Sequence, residues 1–129
     1  MQNPRLSEVR KRDIPALNDY IIESIQDKKG RAIVCLDLTK INDAITDYFI
    51  ICEADSTTQV KAISDHITKN VKDKTGEVPW HTEGYENLEW VLVDYVNVVV
   101  HIFHHTKREF YALEELWSDA VVTTYDDEL

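Results

Sequence analysis

No stretch of this sequence is long and apolar enough to cross a bilayer, which takes about 20 residues. Its densest run, residues 90–103, is broken by Asp94, Asn97 and His101. The charged opening MQNPRLSEVRKRD has no apolar segment behind it, so the pattern of a secretory signal is missing and a cytoplasmic location is expected. Cysteine is scarce. Cys35 and Cys52 each sit inside an apolar run, where buried free thiols are the simplest reading, although sequence alone leaves a disulfide open. Cations are in short supply as well. Fourteen Lys and Arg face 24 Asp and Glu, a formal net charge of -10. Phosphate backbones are held by clustered Lys and Arg, so direct, sequence-specific nucleic-acid binding is not expected. The same charge suits docking on a basic protein surface. Plain solubility would explain it equally well.

What is present is patterned, and the length of 129 residues fits one domain with a real core. Pro15 is tolerated in a first helical turn, and Ile14, Leu17, Ile21 and Ile25 follow at helical spacing. Lys28 and Lys29 suit the helix C-terminus, and Gly30 ends it, giving a helix over about 15–29. Residues 32–36 and 47–52 are short apolar runs rich in β-branched residues and read as buried strands. The polar connection between them is too short for a crossover helix. Ser56 and Gln59 form a capping-box pair before Val60, Ile63, Ile67 and Val71, which predicts a helix over 57–75 closed by Gly76. Residues 90–94 and 98–103 read as a hairpin turning through Asp94-Tyr95-Val96-Asn97, with Asn97 supplying the left-handed position. A shorter strand is expected near Trp80–Glu83. Thr106 and Glu109 form a second capping-box pair, leading into a helix whose face carries Phe110, Leu113 and Trp117. The expected organisation is a flexible N-terminal segment (1–12), a domain (13–120) and an acidic tail (121–129) that frays. Its fold class is α/β, a mixed sheet flanked by helices.

Several segments together resemble the RsfS/Iojap family of ribosomal silencing factors. They are Asp47-Tyr-Phe-Ile-Ile-Cys52 with Gln59-Val-Lys-Ala-Ile63, then Glu83-Gly84, Trp90-Val-Leu-Val-Asp94-Tyr95 and Val98-Val-Val-His101-Ile-Phe103, and last Arg108-Glu-Phe-Tyr111-Ala-Leu113-Glu114-Glu-Leu116-Trp117. Each piece is weak alone, but the ordered set, over about residues 15–120, is specific. The resemblance implies a nucleotidyltransferase-like α/β sandwich without transferase motifs. It implies a protein that binds the large ribosomal subunit through ribosomal protein fourteen, blocks small-subunit joining and represses translation under starvation stress. It also implies self-association as a homodimer. The chain departs from the family at the hairpin, where Val96-Asn97 replaces the usual Gly-Asp, and in the loop 53–58 before the second helix.

Transferase chemistry requires a Gly-Ser phosphate turn and an Asp-x-Asp pair for Mg²⁺. Neither occurs, so Asp37, Asp47 and Asp94 read as turn and strand-end residues, and neither catalysis nor a cofactor is expected. A residual nucleotide-binding enzyme or sensor on the same fold is the alternative, and an acidic adaptor for another partner is a second. His101, His104 and His105 are close enough in sequence to raise a metal site, but no third ligand of suitable spacing follows, so no metal is expected. Trp residues are interface hot spots or core. Trp90, at the head of a face ending in Asp94, and Trp80, after Pro79, are assigned to a partner interface, and Trp117 to the core. With Asp94 and His101, and on the family resemblance Lys61, Arg108, Tyr111 and Glu114, these complete the expected protein-binding set.

Overall fold

A computed structural model of the chain describes residues 14–111 and 119–127. Helix α1 (Ile14–Asp27) leads into β1 (Arg31–Asp37) and β2 (Tyr48–Ala54). Helix α2 (Thr57–Thr75) is followed by β3 (His81–Glu83), β4 (Trp90–Asp94), β5 (Val98–His104), α3 (His105–Tyr111) and β6 (Val121–Tyr125). The six strands form one sheet in the order β3-β4-β5-β2-β1-β6. Among the described strands only the β2–β5 pair is parallel, with Tyr48 opposite Val98 and Ala54 opposite His104, so the sheet is mixed as expected.

The sheet has two unlike faces because strand side chains alternate. Ile33, Cys35, Ile50, Cys52, Val91, Val93, Val98, Val100 and Ile102 point one way and bury the apolar stripes of α1 and α2, including Leu17, Ile21, Ile25, Val60, Ile63 and Ile67. On the other face lie Leu36, Phe49, Ile51, Val99 and Phe103, with Trp90 and Leu92 partly buried beside them. Leu38, Ile41 and Ala44 of the β1–β2 connection fold back onto this second face. Helices α1 and α2 therefore cover one side of the sheet, and the β1–β2 connection packs on the other. Cys35 and Cys52 are buried free thiols.

Local chemistry explains the element ends. Ser56 Oγ accepts the Gln59 N–H at 3.1 Å, as a capping box requires. Gln59 does not return the bond to Ser56. Its Oε1 accepts the Asp55 N–H, and its Nε2 donates to the carbonyls of Lys28 and Lys29. Helix α2 is thereby tied to the end of α1. Gly30 is required because a Cβ there would lie 2.3 Å from Ile25 Cγ2, while Lys29 takes the left-handed turn at φ 65°. Gly76 ends α2 at φ 80° and donates to the Lys72 carbonyl.

Three expectations are corrected. The tail 121–129 was expected to fray, but residues 121–125 form β6, paired antiparallel to β1 from Asp37↔Val121 to Ile33↔Tyr125. β-branched Val121, Val122, Thr123 and Thr124 suit a strand, and Gln26 Nε2 donates to the Asp126 carbonyl beyond it. The last helix starts earlier than the second capping-box pair implies: α3 begins at His105, where His104 Nδ1 accepts the Thr106 N–H, and the Glu109 side chain lies outside the described residues. In the hairpin turn the left-handed residue is Val96 (φ 76°), not Asn97. The Asn97 side chain is needed elsewhere, donating to Asp47 Oδ2 at 3.0 Å and so holding the turn against the start of β2.

Candidate docking face of the sheet

The β4–β5 hairpin sets Trp90 opposite Phe103 and Leu92 opposite His101. All four side chains then share the face opposite α1 and α2. Trp90 stacks on Phe103 with ring centroids 5.2 Å apart, and its Nε1 donates to His101 Nδ1, its diagonal neighbour, at 3.0 Å. Phe49 from β2 meets the His101 ring edge-on at 4.6 Å. An indole N–H only donates, so Nδ1 of His101 is the acceptor and Nε2 carries the proton. His101 is 4% exposed, and burial alone pulls its pKa down to about 4. It is neutral at physiological pH, and its buried Nε2 has no hydrogen-bond partner among the described residues. The result is a half-buried indole set against the rings of His101 and Phe103, with Phe49 bracing His101, the pre-organised form of a hot-spot anchor.

Beyond Phe103 the sheet ends in charge. Arg108 of α3 donates to the Ala32 carbonyl and lies 3.4 Å from Glu53, and Arg31 pairs with Asp55 and reaches Glu53 at 3.8 Å. The Arg108 side chain is only 12% exposed. It fastens α3 to the β1 bulge more than it offers a cation to a partner.

The expected binding residues do not form one patch. Trp90 and His101 come together, with Arg108 at the same end of the sheet. His101 is buried, so a partner would meet it only through Trp90. Asp94 closes the opposite end of β4, about 13 Å away at ~3.3 Å per residue, where its Oδ1 accepts the Val96 N–H. Trp80 lies there too, 76% exposed, its N–H bonded to the Asp94 carbonyl. β4 is not an edge strand, because β3 covers it. Lys61 is on α2, across the sheet, paired with Asp65 at 2.7 Å. The Tyr111 side chain and Glu114 lie outside the described residues. Sequence reading passed over Phe49 and Phe103 as supports for Trp90, although a hairpin closing at Tyr95–Val98 already places Trp90 over Phe103.

The strand-end aspartates are engaged in turns. Asp37 Oδ1 accepts both the Thr39 N–H and its hydroxyl, holding the carboxyl below its ordinary pKa, and Asp47 accepts from Asn97. Among the described residues no three His, Cys, Asp or Glu side chains converge as metal ligands. No helix among them is long and apolar enough to cross a membrane.

The sequence pattern of the family described as "Ribosomal silencing factor during starvation" matches residues 11–129. The chain belongs to the RsfS/Iojap family of ribosomal silencing factors. The RsfS match runs through the β6 segment as well as the hairpin that carries Trp90. Ribosomal silencing factor RsfS of Bacillus subtilis is 42% identical over 100 residues, 78% of this chain and 83% of that protein. The mouse protein called "Mitochondrial assembly of ribosomal large subunit protein 1" is 29% identical over 113 residues, 86% of this chain and 48% of that one. A crystal structure of a Chromobacterium violaceum protein superposes with a TM-score of 0.77 at 34% identity, covering 83% of this chain and 88% of that one. RsfS membership fits the mixed α/β sheet flanked by helices.

Proposed function

We propose that this protein binds the large ribosomal subunit through ribosomal protein fourteen and, by occupying that surface, blocks joining of the small subunit and represses translation. Binding alone does this, without turnover or cofactor, in the cytoplasm. Family membership over residues 11–129 carries the reading, and the name of the mouse relative supports the large subunit as partner. The geometry that favours it is the half-buried Trp90, pre-set over Phe103 and His101 on the sheet face opposite α1 and α2. In this reading Trp90 is the anchor, and Tyr111 and Glu114 are further contacts proposed on the family resemblance. Arg108 and His101 act as supports, and Asp94, Trp80 and Lys61 as outlying contacts. The free protein self-associates as a homodimer, which light scattering checks.

Gradient sedimentation with purified subunits is the test. The protein should travel with the large subunit, be absent from the small one, and shift mixed subunits away from the joined ribosome. Migration only with free protein at micromolar concentrations of both would refute the proposal.

A further inference from the structure

Six large apolar side chains are prominently exposed among the described residues: Ile45, Val78, Trp80, Val96, Val121 and Val122. They gather at one end of the sheet. Parallel pairing of Tyr48 with Val98 puts the start of β2 beside the start of β5, and antiparallel pairing of Asp37 with both Tyr48 and Val121 brings the ends of β1 and β6 to the same line. The β4–β5 turn and the start of β3 complete the row, since the Trp80 N–H bonds the Asp94 carbonyl. Thr46 Oγ1 donates to the Val96 carbonyl, seating Ile45 next to the turn. Six strands at ~4.8 Å make this ledge about 24 Å long.

Its charge is predominantly negative. Segments 37–47, 77–81, 94–98 and 119–122 carry Asp37, Asp43, Asp47, Glu77, Asp94 and Asp119, and their one lysine or arginine is Lys40. A cavity of about 330 Å³ opens between Ile41 and Val121, lined also by Asp37, Asp119 and the single cation Lys40. Apolar exposure of this extent marks a contact surface. The carboxylates select its occupant. A second copy meeting it about a two-fold axis would set aspartate against aspartate, and nucleic acid would be repelled in the same way. We propose that this end of the sheet is a docking ledge for a basic protein segment that carries apolar side chains between its lysines or arginines. It lies at the opposite end of β4 from Trp90 and stands independently of the large-subunit proposal.

The probe is a synthetic amphipathic leucine–lysine peptide of roughly 16 residues, the helical length of the ledge. It is titrated into the isotopically labelled full chain and compared with oligolysine and a leucine–glutamate peptide of equal length. Shifts should centre on the Trp80 indole and on Ile45 and Val121, with oligolysine about 10-fold weaker. Trp80→Ser/Ile45→Ser should weaken binding about 10-fold, and Asp43→Asn/Asp119→Asn should weaken it and flatten its salt dependence. All four positions are at the surface, and unchanged urea midpoints would certify the folds. The proposal is overturned if shifts centre elsewhere or if oligolysine binds as tightly. It is equally overturned if the variants bind like the parent, or if Trp80→Ser/Ile45→Ser turns a dimer into a monomer in sedimentation velocity.

Discussion

Replacing Val96 by glycine should relieve strain that the fold imposes on a β-branched residue. Val96 sits at φ 76°, and the Asn97 N–H bonds the Tyr95 carbonyl across it at 2.9 Å, the rarer and strained hand of γ-turn. Three further bonds hold it there: Val96 N–H to Asp94 Oδ1, Thr46 Oγ1 to the Val96 carbonyl, and Asn97 to Asp47. A left-handed residue with a Cβ costs about 1–2 kcal/mol, and a β-branched one belongs at or above the top of that range. Against this, glycine adds about 0.4–1 kcal/mol of chain entropy to the unfolded state. The side chain is 56% exposed, so its partial burial is worth roughly 0.7 kcal/mol. The terms for Val96→Gly nearly cancel or leave a small gain. Val78→Gly is the control, because Val78 is similarly exposed (62%) and has no positive φ, so it bears only the two costs. The pair should differ by about 2 kcal/mol, roughly 1 M in urea midpoint at an m-value near 2 kcal/mol/M. Equal losses in both variants would refute the strain argument and assign the turn's stability to Val96 contacts.

Trp90→Phe keeps the ring stack but strands His101 Nδ1 without its donor, so it should cost about 1–3 kcal/mol in urea unfolding while weakening large-subunit binding less than Trp90→Ala does. For Trp90→Ala a hot-spot loss of about 2 kcal/mol means roughly 30-fold weaker binding by the folded fraction. The neutral His101 gives a pH signature: with a folded pKa of about 4 against 6.5 unfolded, the unfolded chain takes up the proton first. Stability should therefore fall as pH drops from about 6.5 to 4, by on the order of 3 kcal/mol, and His101→Asn should flatten that slope in urea titrations. Burial pushes the Cys35 thiol up to about 11 and Cys52 up to about 12, so neither should react with an aromatic disulfide reagent at pH 8 until denaturant is added.

Much of this protein was determined by sequence alone. The stripes Leu17-Ile21-Ile25 and Val60-Ile63-Ile67-Val71 carry the helical period themselves, and Ser56 and Gly76 mark the ends of α2, so both helices were legible locally. The apolar runs of β1, β2, β4 and β5 were legible for the same reason, and the ordered motifs named the family. Tertiary structure alone decided which runs became neighbours. The parallel β2–β5 pairing lies between strands 50 residues apart, and no local pattern encodes it. β6 became a strand because the free edge of β1 accepts a ladder, a partner that residues 121–125 do not reveal on their own. Val96 took the left-handed position against its own preference because Thr46, Asp94 and Asn97 fix the turn from three sides. The binding residues chosen from sequence were scattered over two sheet ends and a helix, since alternation assigns a face but pairing register assigns an address. That register put His101 under Trp90 rather than at the surface, where burial in the packed sheet keeps its imidazole neutral.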